Sequence, residues 1–125
     1  MRILVIEDEE LMRKTLEFRL KKDGYEVQLA KDGREGIEMS RSGEFDLIIS
    51  DIMMPFVSGL EIVSRIRANP QTKETPIIML SAVGLENVIL EAFELGADDF
   101  ITKPFNLSEL SIRVRKHIKK HELFR

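Results

Sequence analysis

The chain has no cysteine among its 125 residues, which excludes disulfides and thiolate metal sites and is compatible with a reducing compartment. It has no surplus of positive charge: nineteen basic residues stand against twenty-two acidic ones, a net charge of −3. The domain as a whole therefore carries no basic footprint for nucleic acid. No apolar run exceeds a few residues, far short of the roughly 20 that a membrane-crossing helix needs. The opening MRILVIEDEE turns acidic where a signal peptide would stay apolar, so no export signal is expected. Low-complexity segments and linkers are missing too. What is present is the composition of a soluble globular domain, 43% hydrophobic and 33% charged, close to the commonest domain size. The expectation is one cytoplasmic domain over residues 1–125. Its last helix should end near residue 121, leaving 122–125 as a tail or the start of a linker.

Five short apolar runs recur: Ile3–Ile6, Val27–Leu29, Leu47–Ile49, Ile77–Leu80 and Phe100–Ile101. The first, third and fourth are continuous rather than alternating, as in strands covered on both faces. Helical patterns lie between them. From about Glu9 to Lys22 the residues Leu11, Met12, Leu16 and Leu20 make an apolar stripe, with Gly24 where a C-terminal cap belongs. A shorter helix is expected from Gly33 to Arg41. Ser58-Gly-Leu-Glu61 fits a capping box that opens a third helix. Leu85, Val88, Ile89 and Ala92 mark a fourth, ending at Gly96, and Asn106-Leu-Ser-Glu109 opens the fifth. Strand and helix alternate five times, which predicts an α/β fold: a doubly wound parallel sheet with helices on both faces.

In such sheets ligands bind outside the carboxyl ends of the strands. Glu7 and Asp8 follow the first strand, Asp51 the third, Ser81 the fourth, and Lys103-Pro104 the fifth. Five polar groups therefore fall at one sheet edge. Clustered carboxylates raise one another's pKa unless a cation intervenes. A hard divalent ion with oxygen ligands, Mg²⁺ above all, meets that need. The same site could hold phosphoryl oxygens, with Lys103 and the Ser81 hydroxyl answering their charge. A carboxylate there can itself be the nucleophile, giving an aspartyl-phosphate at Asp51.

The segments ILVIEDEE, DLIISDIMMPFVSGLEI, PIIMLSA and GADDFITKPF, in that order and spacing from Arg2 to Lys120, resemble the receiver domain of two-component response regulators. The resemblance implies a five-stranded sheet of flavodoxin-like order 2-1-3-4-5, a (βα)5 chain. It implies a signalling switch rather than an enzyme with a separate substrate. Asp51 would be the phospho-acceptor, served by a sensor histidine kinase or a phosphotransfer protein. Glu7, Asp8, Asp51 and the Met53 backbone carbonyl would hold Mg²⁺, with Lys103 bridging to the phosphate. Ser81 and Phe100 would be the switch residues, and the bond before Pro104 would be cis. The surface of the fourth helix, fifth strand and fifth helix would change on phosphorylation. Asp98, Asp99, Arg113 and Arg115 resemble the charged pattern through which the winged-helix branch of this family dimerises there. Neither nucleic acid nor membrane is an expected partner of this domain.

Five positions depart from the family pattern, among them Phe100, which lacks the hydroxyl of a tyrosine, so that a switch there would work by packing alone. Phe56 and Ser58 stand where glycine and aspartate are common, and Met53 and Val83 flank the site with apolar side chains. Without a polar group to orient water, self-dephosphorylation is expected to be slow. His117 and His121, one helical turn apart, lack a third ligand in the sequence and are expected to decorate the last helix. Rival functions fit less well. Haloacid-dehalogenase-type phosphatases place a second acid two residues after the nucleophile, where this chain has Met53. A flavin or nucleotide carrier needs a phosphate-binding loop where IEDEEL would repel phosphate. A receiver-fold docking module that works without phosphorylation remains the alternative.

Overall fold

The computed structural model describes residues 1–123. Five strands, β1 (Arg2–Ile6), β2 (Glu26–Ala30), β3 (Leu47–Asp51), β4 (Ile77–Ala82) and β5 (Asp99–Lys103), alternate with five helices. These are α1 (Glu10–Lys22), α2 (Gly33–Ser42), α3 (Gly59–Ala68), α4 (Glu86–Leu95) and α5 (Leu107–Leu123). All neighbouring strands are parallel, in the order β2-β1-β3-β4-β5. This is the flavodoxin-like order that the resemblance implies.

Alternate residues of the continuous apolar strands feed two cores. Ile3, Val5, Leu47, Ile49, Ile78, Leu80 and Ile101 pack with Leu16 and Leu20 of α1 and Leu110, Val114 and Ile118 of α5. Leu4, Ile6, Ile48, Ile77 and Met79 pack on the other face with Ile37, Ile62, Val63, Ile66 and Ala92. A strand covered on both faces has no polar side to show, which is why these runs do not alternate.

Helix ends follow the expected chemistry with small shifts. Glu9 is the N-cap of α1 rather than its first residue, accepting from the Leu11 and Met12 N–H groups. Ser58 caps α3 through the Glu61 N–H, while the Glu61 carboxylate pairs with Arg65 instead of closing the box. α4 is uncapped at its start, where Leu85 offers no side-chain bond, and its last turn has no basic residue, while left-handed Gly96 closes its C-terminus on the Ala92 and Phe93 carbonyls. α5 runs to Leu123, beyond the end expected near 121. Residues 122 and 123 of the expected 122–125 tail are thus helical, and 124–125 lie outside the described residues.

Two expectations need correction. The strands are longer than their apolar cores, because the ladder bonds continue past the last apolar residue. Asp51 pairs with Leu80, Ser81 with Thr102, and Ala82 with Lys103. Asp51 and Lys103 therefore hold the last ladder positions of their strands and Ser81 the last but one, rather than lying in the loops beyond. His117 does not decorate α5. It lies on the inward stripe with Leu110 and Val114, is buried, and meets Asp99 Oδ2 at 2.9 Å. A helix's buried stripe tolerates a histidine when a partner waits opposite, and that partner is invisible in a helical periodicity.

Candidate functional site

The carboxyl edge of the sheet gathers an acidic cluster. Glu7, which follows β1, is fully buried; Asp51, ending β3, is nearly so; Asp8 is exposed. One carboxylate oxygen from each lies within 4.8 Å of the others, the sole such group of three among the described residues. His117 and His121 join no such group. Lys103, ending β5, crosses the site. Its Nζ is 2.8 Å from Glu7 Oε1 and 2.8 Å from Asp51 Oδ2. Parallel neighbours β1, β3, β4 and β5 end at nearly the same height, so residues far apart in sequence meet here.

Backbone groups complete the set. The Glu9 N–H donates to Glu7 Oε2 at 3.1 Å, and the Met53 N–H to Asp51 Oδ1 at 3.2 Å. Burial drives the Glu7 carboxyl up to about 6, helped by the Asp51 charge and opposed by Lys103 and the Glu9 N–H. Burial alone would lower Lys103, but its hydrogen bonds and charge contacts with Asp51 and Glu7 outweigh that and raise it. Three carboxylates against one ammonium leave an excess of two negative charges when all are ionised. The donor set is all oxygen, with one open, exposed carboxylate. That suits a hard divalent cation.

Ser81 is buried, with its Oγ donating to the Ala82 carbonyl at 3.0 Å rather than to a carboxylate. Phe100, half-buried, meets Phe93 of α4 edge to face at 5.8 Å between ring centroids. The Lys103–Pro104 peptide is cis. Asp98 and Asp99, offered above as contacts for a second copy, are used within the chain. Asp98 pairs with Arg67 at 2.7 Å, and Asp99 with Arg113 at 2.8 Å. Arg115 is exposed.

Two residues of the site escape sequence reasoning. Arg13 of α1 donates from Nη1 to the Glu7 carbonyl at 2.8 Å, pinning the turn that carries the acidic pair. Gly59, first in α3, lets that helix touch the acceptor strand. A Cβ there would fall 2.5 Å from the Asp51 carbonyl oxygen and 2.6 Å from Ile52 Cα. The Gly59 N–H donates to the Ile52 carbonyl at 2.7 Å. A glycine just after a capping serine is the only hint the sequence offers of such a contact.

The model of the response regulator receiver domain matches residues 3–115. The chain belongs to that family. It is 42% identical to the transcriptional regulatory protein DltR of Streptococcus agalactiae serotype III, across all of this chain and 55% of that protein. The receiver thus spans about half the length of the curated relatives it matches. Among solved structures it is similar to a response regulator receiver domain from Clostridium thermocellum, with a TM-score of 0.92 and 30% identity over 99% of this chain and 98% of that one. The chemotaxis protein CheY4 of Vibrio cholerae gives 0.87 and 35% over 92% and 96%. The receiver domain of the Pseudomonas aeruginosa sensor histidine kinase PA1611, described with a magnesium ion in its active-site cleft, gives 0.87 and 29% over 94% and 97%. The family is one of signalling receivers in two-component systems, not a classical enzyme family.

Proposed function

We propose that this receiver is a phosphorylation-driven switch that accepts a phosphoryl group on Asp51 from a sensor histidine kinase or a phosphotransfer protein. The observation that carries the reading is the Lys103 bridge, 2.8 Å from both Asp51 and Glu7. An ammonium so placed orients the Asp51 carboxylate and stands ready to answer the charge of an arriving phosphoryl group. Asp51 Oδ attacks phosphorus, the bond from phosphorus to the donor nitrogen breaks, and its electron pair stays on that nitrogen. No residue acts as a base, because the nucleophile is already ionised.

Glu7, Asp8, Asp51 and the Met53 carbonyl would hold Mg²⁺, as their oxygen chemistry and the magnesium described for the PA1611 receiver suggest. When bound it supplies charge neutralisation for the phosphoryl oxygens. Ser81 then turns from the Ala82 carbonyl toward the phosphate, and Phe100 repacks against α4. This is a population shift driven by contacts made better in the active state. The N-terminus of α4, which no side chain caps, suits an element that moves.

The domain catalyses only its own phosphorylation and dephosphorylation. We assign it to the cytoplasm; no helix among the described residues is long and apolar enough to cross a membrane. The homodimer through α4, β5 and α5 is retained with altered chemistry. Since Asp98, Asp99 and Arg113 are engaged internally, a second copy would first meet exposed Leu90, Phe93 and Ile112.

The test is phosphorus NMR of the chain incubated with phosphoramidate and Mg²⁺. An acylphosphate resonance in wild type that is lost in Lys103→Ala is expected. No resonance, even with a phosphorylated histidine-kinase domain as donor, would favour the phosphorylation-independent docking module.

A further inference from the structure

Phe56 has a conformation that its residue type resists. Its φ is +70°, the one positive value at a non-glycine among the described residues. The Val57 N–H donates to the Pro55 carbonyl at 2.8 Å, an i→i+2 bond that makes Phe56 the centre of a γ-turn. With positive φ at its centre, this is the rarer and more strained form of that turn, and a bulky side chain adopts the left-handed region reluctantly. The core does not hold it there, because Phe56 is 77% exposed.

What meets the ring is Arg34, the second residue of α2, whose guanidinium carbon sits 4.7 Å from the ring centroid. That is cation–π geometry. Beside it the loop lies directly on α2, where a Cβ at Gly33 would fall 2.7 Å from both the Cβ and the carbonyl oxygen of Val57. The same loop begins at Met53, bonded through its N–H to Asp51, and closes where Gly59 bonds the Ile52 carbonyl. The strained residue therefore sits in the short segment that carries the Met53 carbonyl.

We propose that Arg34 and Phe56 form a clasp that holds the strained turn between β3 and α3 and so presents the Met53 carbonyl to a divalent cation. The proposal rests on the metal reading of Glu7, Asp8 and Asp51. Both residues of the clasp are positioning residues, touching neither cation nor phosphoryl group. Glycine enters the left-handed region freely and needs no clasp. Leucine keeps the strain and loses the aromatic face. Variants should thus sort by compensation rather than by size, since a smaller binding-competent fraction weakens apparent affinity in proportion.

The experiment titrates the full chain with Mg²⁺ alone, following the Met53 and Gly59 amides by NMR, with thermal unfolding in chelator recorded alongside. Phe56→Leu and Arg34→Gln are expected to raise the Mg²⁺ Kd by about two- to fivefold, the reach of a cation–π contact at an exposed site. Phe56→Tyr and Phe56→Gly should bind as wild type does, and Arg34→Gln should add nothing in the Phe56→Gly background. Wild-type affinity in Phe56→Leu, or an equal Arg34→Gln effect in both backgrounds, overturns the clasp while leaving the metal reading intact. A wild type whose amides ignore Mg²⁺ overturns both.

Discussion

His117 Nε2 lies 2.9 Å from Asp99 Oδ2, tying the middle of α5 to the first residue of β5 with both side chains buried. Asp99 also accepts from Arg113 Nη1 and from the Phe100 N–H, each at 2.8 Å. Removing one donor leaves a buried carboxylate partly unpaired. His117→Ala should therefore cost about 1–3 kcal/mol, read from urea unfolding. An unchanged midpoint would mean that the pair is an idle contact.

The same carboxylate sets a pH dependence. Burial pushes Asp99 up, but hydrogen bonds from His117, the Phe100 N–H and Arg113 outweigh it and hold the carboxyl below its ordinary range. The folded state then binds fewer protons than the unfolded one as pH falls through the unfolded value of about 3.9. Asp99 thus contributes stability above that value and loses it as pH drops toward the folded pKa. Unfolding free energy measured from pH 6 downward should fall more gently in Asp99→Asn than in wild type. Identical slopes would contradict the assignment.

Gly59 is a packing requirement at the acceptor. A methyl group there meets backbone atoms of Asp51 and Ile52 at 2.5 and 2.6 Å, and backbone yields less readily than a flexible side chain. Gly59→Ala should destabilise by about 1–3 kcal/mol and slow phosphorylation at Asp51 beyond what the lost stability accounts for. Thermal unfolding beside the phosphorylation rate tests it; normal values of both would show that α3 can back away.

Met53, two residues past the acceptor, and Val83, two residues past Ser81, are 60% and 76% exposed, and neither can orient an attacking water. The phosphorylated protein should therefore lose its phosphoryl group slowly. A Met53→Asn, Val83→Glu variant should lose it faster, on the order of 10-fold or more given what positioned polar groups contribute. Equal decay of the two proteins would sink the idea.

The alternation of apolar runs made the sheet legible, and the residues just past those runs pointed to one edge. Glu7, Asp8, Asp51, Ser81 and Lys103 stand out in the sequence because each interrupts or ends an apolar strand. Strand order is different: no periodicity specifies which strands are neighbours, and the order 2-1-3-4-5 came from the family resemblance. His117 was misread because a helical stripe records which residues face inward, not what they face. Arg13 and the Arg34–Phe56 contact were missed for a similar reason. Arg13 reaches a backbone carbonyl six residues back along the chain, Arg34 reaches the loop between β3 and α3, and neither contact has a sequence signature.

Intact-protein mass after incubation with Mg²⁺ and a small-molecule phosphodonor, for wild type and Asp51→Asn, tests the central claim most directly. The account predicts a single phosphoryl adduct on wild type that disappears with chelator and never forms on the variant. An adduct of equal yield on Asp51→Asn would contradict it, because the acceptor would then lie elsewhere on the chain.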